Sequence, residues 1–336
     1  MKKSRRGRIS SAFPNVRLRR LRTTPAIRDL LQETRLAASD LVTPIFVQEG
    51  IKKPQSIASM PDIRRLPLAG LVDEVEEVLK LDIKAVILFG LPAKKDELAS
   101  SAFDKEGIVQ KSISTIRKYF GDKVAIITDV CLCQYTTHGH CGLVTNRKVD
   151  NDRSIATLAN IAVSHAQAGA DIVAPSAMMD GQVQAIRKSL DQAGLPETAI
   201  MGYSAKQASP LYAPFRDAAH STPEFGDRRT YQMPLSNARE AMREVETDIE
   251  EGVDIVMIKP AIPYLDLIYK TRQSTNSPIC AYSVSGEYAL IKAAALNGWA
   301  DEDAVTTEFL TSIKRAGADI IISYQAKRMA QLLARH

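Results

Sequence analysis

Short β-branched runs recur along the chain, and amphipathic stretches of helical length with charges on one face separate most of them. Eight runs stand out: Thr43–Val47, Ala85–Phe89, Val124–Thr128, Asp171–Ala174, Ala199–Tyr203, Asp254–Ile258, Ile279–Tyr282 and Asp319–Ser323. Three are entered through one phrase: Ala168-Gly169-Ala170-Asp171, Glu251-Gly252-Val253-Asp254 and Ala316-Gly317-Ala318-Asp319. In each, a glycine just past a helix supplies the left-handed cap before the chain enters a buried strand. Their unequal spacing indicates a common building unit and not a solenoid of fixed period. Continuous apolar strands alternating with helices predict a parallel sheet covered by helices, and eight is the number that closes. The expected fold is therefore an α/β (β/α)8 TIM barrel over residues 36–336, preceded by an extended arm over residues 1–35. An open doubly wound sheet would require a Gly-rich dinucleotide fingerprint after an early strand, and none is present.

Composition is that of an ordinary globular protein, 45% hydrophobic and 25% charged, which excludes wholesale disorder. No apolar run approaches the roughly 18 residues needed to cross a bilayer, so no membrane contact is expected. The net charge of +5 is localised. Ten Lys and Arg crowd residues 1–28, which hold no acid, while all 39 acids follow, so the body is mildly acidic. The basic arm reads as a solvated tail, a nucleic-acid contact, a transit peptide or a strap onto a neighbouring subunit; it lacks the apolar core of a secretion signal. Four cysteines in 336 residues make no disulfide framework, and Cys131, Cys133 and Cys141 sit in one stretch, which suits metal binding in a reducing compartment. A cytoplasmic location is expected.

Barrel chemistry sits at the C-terminal ends of the strands. The unusual residues fall there: Asp129, Cys131 and Cys133 after the third run, Ser176 and Asp180 after the fourth, Lys206 after the fifth. Lys259 ends the sixth, Ser285 follows the seventh and Tyr324 the eighth. Lys259 extends an apolar strand directly, and Lys206 holds the equivalent place one strand earlier. Two neighbouring ammonium groups oppose each other's charging on top of desolvation, so one becomes a nucleophile near neutral pH. A neutral amine attacks a ketone or aldehyde to give a Schiff base. Three thiolates suit zinc and leave a fourth position for water or substrate; His138 and His140 are alternative ligands or loop hydrogen-bonders. Cys280, inside the seventh run, is expected to be core. About thirty residues after Lys206 have little apolar period but carry Arg216, Arg228 and Gln232, which predicts a lid whose arginines clamp a carboxylate, while the neighbouring Arg229 reads as a surface arginine.

Taken together, Asp129-Val130-Cys131-Leu132-Cys133 through His138-Gly139-His140-Cys141-Gly142, Tyr203-Ser204-Ala205-Lys206, Phe215-Arg216-Asp217-Ala218-Ala219, Gly226-Asp227-Arg228-Arg229-Thr230-Tyr231-Gln232, Met257-Ile258-Lys259-Pro260 and Val284-Ser285-Gly286-Glu287-Tyr288 closely resemble the porphobilinogen synthase (delta-aminolevulinic acid dehydratase) family, from about Arg17 to the C-terminus. The resemblance implies condensation of two 5-aminolevulinate molecules to porphobilinogen with loss of two waters, in tetrapyrrole (haem) biosynthesis. It implies that Lys259 forms the Schiff base and Lys206 engages the second substrate, with Asp129 beside them. Ser285 and Tyr324 look like ligands of the first carboxylate; Arg216, Arg228 and Gln232 are similar to those of the second. Zinc on Cys131, Cys133 and Cys141, allosteric magnesium at Glu244, no organic cofactor, and a homo-octamer with arm-wrapped dimers are further implications. Residues 1–16 have no matched role and are expected to be disordered. Gln134 departs from the acid that many relatives place after the second cysteine.

Two other readings compete with this one. A class I aldolase would explain the lysines but leave the cysteines idle, and its usual phosphate cradle is represented only thinly, by Ser285-Gly286. A nucleic-acid-binding module led by the arm would make affinity fall steeply with salt and would leave both lysines and cysteines without a task.

Overall fold

The computed structural model describes residues 13–335. Eight parallel strands alternate with helices: β1 (Leu41–Gln48), β2 (Ala85–Leu91), β3 (Ala125–Val130), β4 (Ile172–Pro175), β5 (Ala199–Lys206), β6 (Ile255–Lys259), β7 (Ile279–Ser283) and β8 (Ile320–Ser323). Leu41 and Val42 pair with Ile321 and Ile322, so the last strand meets the first and the barrel closes. All eight expected runs are strands of this (β/α)8 barrel.

Alternation along the strands sorts the core into two layers. Val42, Phe46, Ile87, Phe89, Ile127, Met201, Met257, Cys280 and Ile322 fill the barrel interior. Their neighbours Leu41, Ile45, Val86, Leu88, Ile126, Val256 and Ile321 face outward and pack under the helices. Cys280 is thus core, as expected.

The Gly-x-Asp joints have a physical basis in both residues. Gly169, Gly252 and Gly317 have φ of +107°, +96° and +122°. Each aspartate then accepts the backbone N–H that opens a neighbouring strand: Asp171 from Ile126 at 2.7 Å, Asp254 from Ile200 at 2.7 Å, Asp319 from Ile279 at 2.8 Å. Arg117 and Arg272 close the outer side of Asp171 and Asp319. These capped joints lock the strand bottoms, leaving the opposite end free for chemistry.

Two excursions carry no signal in the apolar pattern. Strands Gln55–Ile57 and Met60–Leu66 form an antiparallel hairpin that extends the sheet beside β1. A two-residue ladder, Val144–Thr145 with Lys148–Val149, follows the cysteine stretch. The chain divides into compact units at Arg35/Leu36. Within the described part of the arm, a 3-10 turn (Leu18–Arg22) and a short helix (Pro25–Leu30) contain no buried residue. Of the segment expected to be disordered, residues 1–12 lie outside the described residues, and Phe13–Asn15 form a turn. No described helix is long and apolar enough to cross a membrane.

Candidate active site

β5 and β6 end side by side, with Lys206 directly opposite Lys259. Both are buried and line one small cavity with Asp129, Cys131, Cys133, Ser176, Tyr212, Phe215, Arg228, Tyr282, Ser285 and Tyr324. The two amines share the face of Tyr203, at 5.2 Å for Lys206 Nζ and 4.9 Å for Lys259 Nζ. Lys206 Nζ donates to the Ser176 carbonyl at 2.5 Å. Burial pushes the Lys259 ammonium from its ordinary 10.5 down to about 7, and the Lys206 charge adds to that effect. Desolvation thus outweighs the like-charge contribution. Aromatic rings compensate only in part, with Lys259 Nζ 4.1 Å from the Tyr282 centroid and 5.4 Å from those of Tyr212 and Phe215.

β3 delivers Asp129 and then the cysteine loop. The Sγ atoms of Cys131, Cys133 and Cys141 all lie within 4.8 Å of one another, and the pair Cys131–Cys133 is 3.5 Å apart. All three are buried and free of disulfides. Hydrogen bonds from Cys131 and Cys133 hold the Cys141 thiol well below its ordinary range, so the pocket already favours a thiolate. Three converging soft donors fit a thiophilic cation. His138 and His140 are not part of that group. The His140 ring is used up by the loop: Nε2 donates to the Phe225 carbonyl and Nδ1 accepts from the Tyr231 hydroxyl, each at 3.0 Å. His138 Nδ1 accepts the His140 N–H at 3.1 Å. Gln134 turns its amide onto Asp129 Oδ2 at 3.0 Å and accepts from the Cys133 thiol at 3.4 Å, joining the carboxylate to the cysteines.

The long segment after β5 lies down over the cysteine loop. Arg228 donates to the carbonyls of Gly139 (2.9 Å) and Ser221 (2.6 Å), and Glu224 N–H to His138 O (3.1 Å). Gly139 has φ +69°, and a Cβ there would run into the Thr222 carbonyl, so only glycine allows this closure. Several buried polar atoms of the segment lack partners: Arg216 Nε, Arg228 Nε and both side-chain atoms of Gln232. Buried groups of this kind call for a hydrogen-bonding ligand. Ser285 Oγ accepts from Phe215 N–H at 3.0 Å, and Tyr324 shares a 3.0 Å hydrogen bond with Tyr282.

The family model described as delta-aminolevulinic acid dehydratase matches residues 15–332. The chain belongs to the delta-aminolevulinic acid dehydratase family. It is 56% identical over 321 residues to the delta-aminolevulinic acid dehydratase of Archaeoglobus fulgidus, covering 96% of this chain and 99% of that protein. Identity to the Bacillus subtilis dehydratase is 51% over 318 residues, 95% and 98% of the two chains. The crystal structure of the Toxoplasma gondii ME49 dehydratase (porphobilinogen synthase), in complex with its reaction product porphobilinogen, superposes with a TM-score of 0.93 at 42% identity, covering 95% of this chain and 92% of that one.

Not every residue singled out from the sequence of this dehydratase reaches the inner cavity. Asp180 and Glu244 line a separate, larger cleft on the helix side, with Glu240, Asp248 and Glu251. Burial, and then the carboxylates of Asp180, Glu240 and Glu251, raise the Glu244 pKa. Gln232 also borders that cleft, and Arg216 is half-buried near Arg228 without lining either cavity. Arg229 is exposed and, among the described residues, pairs with Asp227, as a surface arginine does. Tyr203, Tyr212, Phe215 and Tyr282 were missed as a set. Tyr282 alternates with Cys280 on the inner face of β7, a signal that strand parity alone carries, whereas Tyr212 arrives from an irregular segment and is held by its hydroxyl on the Lys259 carbonyl at 3.0 Å.

Proposed function

We propose that this protein condenses two 5-aminolevulinate molecules into porphobilinogen, releasing two waters, through a Schiff base on Lys259. One observation carries the reading: a buried amine with a pKa of about 7 shares a cavity with a second strand-end lysine and with two cysteines of the converging triad. The neutral Lys259 Nζ attacks the ketone of the first substrate, and loss of water leaves an imine whose protonated form draws electrons from the adjacent carbon. Ser285 and Tyr324 hold that molecule's carboxylate. Lys206, tethered at Ser176 O, engages the second molecule, and Arg228, which lines the same cavity, meets its carboxylate, with Arg216 and Gln232 next to Arg228 and carrying further buried atoms without partners. Asp129, steadied by Gln134, moves protons between the amines and the reacting carbons. The aromatic wall and the closed segment exclude water from the imine.

Cys131, Cys133 and Cys141 would hold zinc, which supplies Lewis-acid polarisation of a substrate oxygen or binds its amine. Glu244 would take a hydrated magnesium ion in the acidic cleft, away from the reaction. The enzyme works as a homo-octamer, with the basic arm of one subunit on its neighbour. Phe13, Leu18, Leu21 and Leu30 support this, because a segment of such residues, all exposed within it, lacks an apolar cover. Four free cysteines fit a cytoplasmic setting. Incubation with 5-aminolevulinate and zinc, followed by a colour reaction for pyrrole, tests the reading: pyrrole is expected, and its absence overturns the proposal.

A further inference from the structure

The hairpin Gln55–Ile57 and Met60–Leu66 does more than widen the sheet. Arg65, opposite Phe46 of β1, is buried and turns its guanidinium onto the segment that covers the site. Nε donates to the Ala218 carbonyl at 2.7 Å and Nη2 to the Asp217 carbonyl at 3.0 Å. From the tip of the same hairpin, Ser59 Oγ donates to Asp217 Oδ2 at 2.6 Å. Arg65 thus caps the C-terminal end of the helix Ala213–Ala218, where unpaired carbonyls and the helix dipole both favour a cation. Beyond the helix, half-buried Lys95 adds a bond to the His220 carbonyl at 2.5 Å.

That short helix carries two residues of the site. The Phe215 ring lies across the barrel mouth, 5.6 Å from the Phe46 ring, 5.0 Å from that of Phe89 and 5.4 Å from Lys259 Nζ. Arg216 stands beside Arg228. The helix has six residues, and Ala218 is the one buried within it. So short a helix does not persist on its own backbone bonds, and its closure depends on what grips it from outside. Near its start the grip is Ser285, whose Oγ accepts from Phe215 N–H at 3.0 Å and is also needed by the first substrate's carboxylate. Arg65 grips the far end and lines neither cavity, so its hold need not be given up when substrate enters. A buried guanidinium whose partners are carbonyls lacks the opposite charge that ordinarily offsets its desolvation, which makes it a costly choice for a residue serving the fold alone.

We propose that Arg65 is a positioning residue of the active site: from the hairpin it holds the far end of the helix Ala213–Ala218 and so keeps Phe215 over Lys259 and Arg216 beside Arg228. The inference rests on the reading that Lys259 forms the Schiff base and that these arginines serve the second substrate. Without the hold, the helix opens, and substrate must spend binding energy to close it again.

Amide hydrogen exchange of the full-length protein, and its turnover of 5-aminolevulinate with zinc, are compared for Arg65→Met, Arg65→Lys and Ser59→Ala. The reporters are the amides of Ala219, His220 and Ser221, which bond back to the carbonyls of Phe215, Asp217 and Arg216. A hydrogen bond to a charged group is worth roughly tenfold or more in an equilibrium constant. Arg65→Met loses two, so these amides should exchange on the order of 100-fold faster while the barrel strands keep their rates. Its KM should rise about tenfold, with kcat within a few-fold because saturating substrate recloses the segment. Arg65→Lys keeps one donor and should fall between wild type and Arg65→Met in both readings. Ser59→Ala, which leaves the guanidinium in place, should speed the same amides about tenfold. Unchanged exchange at residues 219–221 in Arg65→Met, an increase shared equally by the strands, or a wild-type KM beside faster exchange overturns the inference. Should Arg65→Met fail to fold, unchanged exchange at these amides in both Arg65→Lys and Ser59→Ala overturns it. Absence of pyrrole from the wild-type protein would instead overturn the functional reading, and the exchange rates, which need no substrate, would still test the hold.

Discussion

Replacing Lys259 by methionine should make the protein inactive and more stable at once. The unfolded chain binds the Lys259 proton with a pKa of 10.5, the folded protein with one of about 7. A basic group whose pKa is depressed on folding contributes fully to stability above 10.5 and loses that contribution as pH falls through 7. At pH 7 the folded state has paid most of this penalty, which at 1.36 kcal/mol per unit comes to about 4 kcal/mol. The contact of Nζ with the Tyr282 ring returns a part. Methionine matches the stem and carries no charge, so Lys259→Met should gain about 2–4 kcal/mol at pH 7, visible as a rise of several degrees in Tm. The gain should shrink toward zero as the scan is repeated up to pH 10.5. Turnover of 5-aminolevulinate should be lost at every pH. A variant less stable than wild type at pH 7, or a gain that does not vary with pH, would refute the claim that burial holds this amine near neutrality.

The same shift fixes a kinetic profile. Adduct formation on Lys259 should fall about tenfold per pH unit below 7, where the ammonium dominates, and level off above it; stopped-flow trapping at several pH values reads this. Lys206→Met should still form the Lys259 adduct, with its profile displaced to higher pH because a neighbouring positive charge is gone. A thiophilic chelator should abolish turnover and zinc restore it, while Cys133→Ala should lower bound zinc per chain by elemental analysis. Gly139→Ala should raise KM more than it lowers kcat, since a methyl group there displaces the Thr222 carbonyl and loosens the covering segment.

The barrel was legible because its signals are local. β-branched runs mark strands wherever they occur, and the Gly-x-Asp joints repeat one solution to leaving a helix and capping a strand. The site lysines were legible for the same reason, as charges interrupting apolar runs. What parity decides was less accessible. Lys206 ends its run out of phase with Met201 and Tyr203, and only the pairing with β6 reveals the bulge that corrects it. Asp180 lies only five residues beyond β4, where Ser176 follows directly, yet its N–H is held by Asn151 at 2.8 Å and it goes to the outer cleft. The histidines of the cysteine loop have suitable chemistry for a metal, but Tyr231 and Phe225, some ninety residues later, claim the His140 ring. Contacts of that range leave no periodic trace, and the same holds for Tyr212 on Lys259.

The central claim is covalent, and mass spectrometry of the borohydride-reduced complex with 5-aminolevulinate addresses it directly. The account predicts a reduced substrate adduct on the peptide containing Lys259, absent from Lys259→Met. Pyrrole formation with no trapped adduct, or an adduct confined to any other lysine, would contradict it.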